Sequence, residues 1–249
     1  MTTLILLRHG RSTANTAGVL AGRTPGVELD ERGREQAAKV VDRLADLPLA
    51  SIVTSPLTRC RQTVAPLARA RGLDPVVDDG LAEVDYGSWT NRKVSELTGE
   101  ELWKVVQAHP SAAVFPDGEG LAAMQARAVA AVRRQVARVT AEHGNRSIVL
   151  ACSHGDVIKS ILADALACHL DNFQRIVVDT CSVSVVTYTE LRPFVARMNE
   201  QSGDVASLVP PPPKKPAAED SAEDTAESSG TGSSAAESSD AVVGGATNA

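Results

Sequence analysis

The 249-residue sequence predicts an α/β fold: a three-layer α/β/α sandwich with a mostly parallel central sheet and an antiparallel edge strand. Three observations predict it. Two apolar runs, LILL at 4–7 and SIVLAC at 147–152, lack polar alternation and read as strands buried on both faces, as in a sheet covered by helices on each side. Between them, β-branched runs and amphipathic segments follow one another in strand, helix, strand order, the pattern of parallel crossovers. Near the end of the patterned region CSVSVVTYTE (181–190) alternates, which marks an edge or antiparallel strand.

The first run ends in Arg8-His9-Gly10, at what would be the carboxyl edge of the sheet, where open α/β sheets bind ligands. Residues 28–47 then place Ala37, Val40, Val41 and Leu44 at helical spacing. ASIVTSP (50–56) is a short strand ended by Pro56, followed by a helix over Thr58–Ala70 and a short strand in PVVDD (75–79). Two further helices are predicted over Lys93–Gln107 and Leu121–Val139, flanking the Pro/Gly loop HPSAAVFPDGEG. SIVLACSHG (147–155) again ends in His-Gly and leads into a helix carrying Val157, Ile158, Ile161 and Leu162. CSVSVVTYTE is the last structured segment expected. Past Ser202, four prolines from Pro210 and a run of Ser, Ala, Gly and acids without an aromatic residue predict a disordered tail over 203–249 behind one domain over 1–202.

With 43% hydrophobic residues the chain can build a substantial core. From Pro210 onward seven acids face two lysines, so that stretch carries −5 of the net −6 and leaves the body nearly neutral. A neutral body argues against nucleic acid, and no stretch approaches a membrane span. No basic region precedes the short first apolar run, so the expectation is a cytoplasmic protein. Cys60, Cys152, Cys168 and Cys181 form no CxxC pair and read as ordinary reduced thiols. The five histidines show no metal-ligand spacing either, and neither metal nor other cofactor is expected.

RHGRSTAN supplies a guanidinium, an imidazole and Asn15; TSPLTRCRQT supplies Arg59 just after the second strand; SHG supplies His154. All would converge on one sheet edge. Together with Ser55-Pro56-Leu57, Gln62-Thr63, Leu81 with Glu83, Tyr86-Gly87 with Trp89, Pro116 with Gly118-Glu119, and Ser153-His154-Gly155, the pattern over residues 4 to about 190 resembles the histidine phosphatase superfamily, in its phosphoglycerate-mutase-like branch. The resemblance implies that His9 is the nucleophile, that Arg8, Arg59 and His154 hold the phosphoryl group, that Asn15 assists and that Glu83 donates the proton. Ser12 and Gly22 are candidate phosphate donors, with cap or turn roles as alternatives, and Tyr86 is a candidate for the substrate pocket. Trp89 and Tyr86 also read as core or pocket wall, with wall preferred for Trp89. Arg61, Arg92, Lys93 and Glu119 are weaker candidates for the substrate rim.

The chemistry suits these residue types. A neutral imidazole can attack phosphorus, guanidiniums stay charged and bind phosphate oxygens in pairs, and His154 at a helix start could add a protonated ring. A Glu83 whose pKa is raised by its surroundings could protonate the departing oxygen. Departures from the family pattern bear on the reaction type. Val84 stands where the mutases commonly carry arginine, Thr90-Asn91 replaces a common Glu-Gly, and Arg133-Arg134 lies in a later helix instead of following Glu83. These favour a phosphomonoester hydrolase acting on a small phosphorylated metabolite through phosphohistidine. A phosphoglycerate-type mutase and a non-catalytic phospho-ligand binding or scaffold protein are the alternatives, and a homodimer is left open.

Overall fold

A computed structural model describes residues 1–201; the tail expected over 203–249 lies outside them. Along the chain come β1 (Thr2–Arg8), α1 (Thr13–Ala17), α2 (Glu31–Arg43), β2 (Leu49–Thr54), α3 (Thr58–Arg71), β3 (Val76–Val77), α4 (Val94–Leu97), α5 (Glu101–Ala108), α6 (Leu121–His143), β4 (Ile148–Ser153), α7 (Gly155–Ala165), β5 (Val183–Tyr188) and β6 (Pro193–Glu200). The strands form one mixed sheet in the order β3-β2-β4-β1-β5-β6. β1, β2, β3 and β4 run parallel, β5 pairs antiparallel with β1, and β6 pairs antiparallel with β5.

The period-2 geometry of a strand sends neighbouring residues to opposite faces, and β1 shows the consequence. Leu4 and Leu6 join Val53, Val149 and Ala151 beneath Met124, Ala128 and Val132 of α6 and Ile158 and Ile161 of α7. Ile5 and Leu7 join Ile52, Leu150 and Cys152 under Val40 of α2 and Val64 and Leu67 of α3. One strand therefore feeds two cores, which makes the molecule three-layered. Each of these leucines, fully buried, contributes about 1.5–3 kcal/mol relative to exposure.

Two expectations about elements are corrected. CSVSVVTYTE forms an antiparallel strand as expected, but it is not the last structured segment, since β6 lies outside it at the sheet edge. The patterned chain continues to Glu200 because β6 hydrogen-bonds along β5, although a strand that opens on Pro193 and is half exposed carries no apolar run. The single helix expected over Lys93–Gln107 is broken into α4 and α5, with Thr98, Gly99 and Glu100 between them.

The site is set by register. Arg8 of β1 lies beside Ser153 of β4, and Thr54 of β2 beside Cys152, so the next residues, His9, His154 and Ser55, leave adjacent parallel strands at one carboxyl edge. The turn after His9 is pressed onto the first turn of α2. A Cβ on Gly10 would lie 2.6 Å from the Gly33 carbonyl oxygen, and one on Gly33 would lie 2.0 Å from the Arg11 oxygen. Only two glycines allow the backbones to approach this closely.

Candidate active site

His9 is 3% exposed, and its backbone N–H donates to the Ser153 carbonyl at 3.0 Å. Its Nδ1 lies 2.7 Å from the Gly10 carbonyl oxygen. A carbonyl only accepts, so the proton of the neutral ring sits on Nδ1 and Nε2 is left with its lone pair. Burial, then the positive charges of Arg59 and Arg8, hold the His9 pKa well below the ordinary histidine value. The ring is therefore neutral at physiological pH. Thr63 fixes the turn beneath it: its hydroxyl oxygen accepts from the Gly10 N–H at 3.0 Å and donates to the Arg59 carbonyl at 2.7 Å.

Two guanidiniums are buried here. Arg8 Nη1 donates to the Val178 carbonyl at 2.7 Å. Arg59, in the first turn of α3, donates from Nη2 to the Gly22 carbonyl at 2.8 Å, whereas its buried Nη1 has no hydrogen-bond partner among the described residues. An unpaired buried donor costs about 1–3 kcal/mol, more for a charged group, so Nη1 is poised for an acceptor brought from outside. Gly22 can turn its carbonyl to Arg59 because it adopts φ +50°, a left-handed conformation that side chains resist.

His154 caps α7 in position but not by hydrogen bond, because its imidazole is committed to the site. Its ring centroid lies 5.2 Å from that of His9, its Nε2 is 2.8 Å from Ser55 Oγ, and its Nδ1 is 4.0 Å from Glu83 Oε2. Burial first, then Arg59, His9 and Arg8, depress its pKa well below the ordinary value. The same burial and the neighbouring guanidiniums oppose the protonated ring expected at this helix start.

Glu83 is 4% exposed and has the opposite shift. Burial and then the charge of Asp156 raise its pKa from 4.5 to about 7, against the pull of Arg59, the Val84 N–H and Arg8. It can thus hold or release a proton near neutrality. The backbone behind it is clamped. Arg127 donates to the Gly80, Ala82 and Glu83 carbonyls at 2.9, 2.7 and 3.0 Å. Arg23 donates to the same Glu83 carbonyl at 2.9 Å, and both guanidiniums bind Glu119, whose Oε1 also accepts from the Asp85 N–H at 3.0 Å. Ser153 Oγ completes the support through the Leu81 carbonyl at 2.8 Å.

A cleft opens onto His9, Arg59 and Glu83, with Ser12, Asn15, Gly22 and Tyr86 in its lining; Arg8 and His154 are fully buried and are not part of that lining. Ser12 and Asn15 cap α1 reciprocally, and the Asn15 Oδ1 accepts from the Ser12 N–H at 3.0 Å and the hydroxyl at 2.8 Å. Its amide NH2 remains as the donor. Tyr86 contributes only its ring, since its hydroxyl donates to buried Asp156 at 2.8 Å. Four weaker expectations are corrected. Trp89 stacks on Trp103 and meets Phe115 in the core, Glu119 belongs to the clamp, Arg92 pairs with Glu100 at 2.7 Å, and Arg61 borders a separate groove beside α3. Among the described residues no group of three or more His, Cys, Asp or Glu side chains could hold a metal ion, and no helix is long and apolar enough to cross a membrane.

Sequence reasoning missed Asp156, Arg127 and Gly33. Asp156 reads as an ordinary acid in the first turn of a helix, and Arg127 reaches Glu83 from 44 residues away. Only the fold joins them.

Two histidines at the carboxyl edge of a three-layer sheet, among buried guanidiniums and beside a carboxyl whose pKa burial raises to about 7, define an α/β protein with a buried polar site at that edge. The chain belongs to the histidine phosphatase superfamily (branch 1), whose pattern matches residues 4–201. It is 30% identical over 202 residues to phosphoserine phosphatase 1 of Hydrogenobacter thermophilus, covering 80% of this chain and 92% of that protein. It is 31% identical over 212 residues to the protein named "Probable phosphoglycerate mutase GpmB" of Yersinia pestis (strain Pestoides F), covering 84% of this chain and 95% of that protein. The solved structure of Bacillus stearothermophilus YhfR superposes with a TM-score of 0.73 at 26% identity, over 81% of this chain and 98% of that one.

Proposed function

We propose that the protein is a phosphomonoester hydrolase that passes the phosphoryl group of a small phosphorylated metabolite through His9 to water, with no metal. The observation that carries this reading is the pairing of a neutral His9, Nε2 unprotonated, with an Arg59 Nη1 that is buried and unpartnered among the described residues. One supplies the lone pair, and the other receives an equatorial phosphoryl oxygen.

In the first step Nε2 of His9 forms a bond to phosphorus as the bond to the ester oxygen breaks, and Glu83 gives its proton to the departing alcohol. Arg8, Arg59 and the Asn15 amide stabilise the negative oxygens, and His154 supplies an N–H to them. In the second step Glu83, now a carboxylate, takes a proton from water. The resulting hydroxyl bonds to phosphorus, the N–P bond breaks, and inorganic phosphate leaves with His9 neutral again. A pKa of about 7 suits Glu83 for both directions.

Hydrolysis is favoured over mutase chemistry by Val84, a fully buried apolar residue at the position where the mutases commonly carry an arginine, and by the absence after Glu83 of the adjacent arginine pair that mutases use on a substrate carboxylate. Purified protein in chelator is expected to release phosphate from a simple monoester, and His9→Ala to abolish the release. Full activity in His9→Ala would defeat the proposal. Isomerisation of 3-phosphoglycerate faster than phosphate release would replace it with a mutase.

A further inference from the structure

The cleft lining includes a group of apolar residues. Ala14, Val19, Leu20, Ala21 and Val94 form it next to Gly18. The backbone of this wall is hydrogen-bonded to itself: the Leu20 N–H donates to the Arg92 carbonyl at 2.9 Å, the Asn91 N–H to the Leu20 carbonyl at 2.8 Å, and the Val94 N–H to the Gly18 carbonyl at 2.9 Å.

The nearby arginines are committed elsewhere. Arg23 binds Glu119 at 2.9 Å and lies 3.7 Å from Asp85, Arg92 binds Glu100 at 2.7 Å, and Arg11 binds Asp30 at 2.6 Å. Lys93 is exposed and is not part of the lining, although its neighbour Val94 is. Among the described residues the lining offers one guanidinium, Arg59, and Arg8 is fully buried outside the lining; both are assigned to the phosphoryl group in the mechanism above. A second anionic group on the substrate would be moved from water against aliphatic carbon without a counter-charge, whereas a hydrocarbon group would be removed from water favourably.

We infer that the preferred substrates are monoesters of uncharged alcohols with an apolar body, alkyl or aralkyl phosphates in chemical class, and not carboxylate-bearing phosphates of the phosphoserine or phosphoglycerate kind. The inference rests on the hydrolase reading. Specificity of this sort comes as much from the penalty on the wrong substrate as from attraction to the right one.

The test is steady-state hydrolysis by the full chain of 2-phenylethyl phosphate, glycerol 3-phosphate, phosphoserine and 3-phosphoglycerate under identical salt. The expected result is a kcat/KM for 2-phenylethyl phosphate at least about tenfold above those of the two carboxylates, carried mainly by KM, with glycerol 3-phosphate between. Val94→Lys, which brings a cation to the wall, is expected to narrow that gap by raising kcat/KM for 3-phosphoglycerate. Preference for phosphoserine or 3-phosphoglycerate, lost in Lys93→Ala or not, would overturn the inference and leave the hydrolase reading standing. Absence of phosphate release from all four esters would overturn both.

Discussion

Burial, reinforced by Asp156, works against the charge on Glu83, and that opposition couples the reaction to the stability of the fold. Glu83 titrates at about 7 in the folded chain against 4.5 in its ordinary state, so between those values the folded protein holds the extra proton. Its contribution to stability is therefore full below about 4.5 and declines as the pH rises through about 7. Glu83→Gln removes the charge and is expected to stabilise the protein at about pH 8 by on the order of 2–3 kcal/mol, or about 5–10 °C in Tm, with little effect near pH 4. The same variant is expected to lose about 10²–10⁴-fold in kcat. Calorimetric melts at the two pH values check the first claim, and equal Tm differences at both would refute it. At this scale the sequence made the members of the candidate site legible, because Arg8, His9, Arg59, Glu83 and His154 all sit in short motifs. The groups that tune them were not, since Asp156 and Arg127 act only after the chain has folded.

The elements are positioned by contacts that tolerate little added volume. β1 delivers His9 to the sheet edge, and α2 holds the following turn through the Gly10 and Gly33 backbones. Gly33→Ala places a methyl carbon where 2.0 Å separates it from the Arg11 oxygen, so α2 or the His9 turn must shift. The expected cost is about 1–3 kcal/mol in stability and, because the turn carries the proposed nucleophile, about 10²-fold in kcat. Thermal melts and single-substrate kinetics on this variant check it; unchanged kcat would show that the turn is not held from α2. Gly33 was invisible to periodicity, where it looks only like a poor helix former inside an otherwise good helix. The buried strands β1 and β4 and the stripe of α6 were readable from continuous or periodic apolar residues. β6 was not, because its stability comes from pairing with β5 and not from an apolar pattern of its own, and the apolar spacing alone does not register the break between α4 and α5.

For the described chain as a whole, one sheet separates two cores, and parallel strands remote in sequence end side by side. His9, Ser55 and His154 come from β1, β2 and β4, and the sheet order puts β4 between the other two. This arrangement brings an imidazole lone pair within reach of a cationic cup without any of its members being neighbours in the chain. The account stands on His9 becoming phosphorylated. The direct measurement is to mix enzyme with a slow phosphomonoester, quench in alkali within the first turnover, and map the modification by mass spectrometry. The account predicts an acid-labile, base-stable phosphoryl group on His9 in the wild-type chain and none in His9→Ala. Turnover with no trapped phosphoenzyme, or with phosphate on a different side chain, would contradict it.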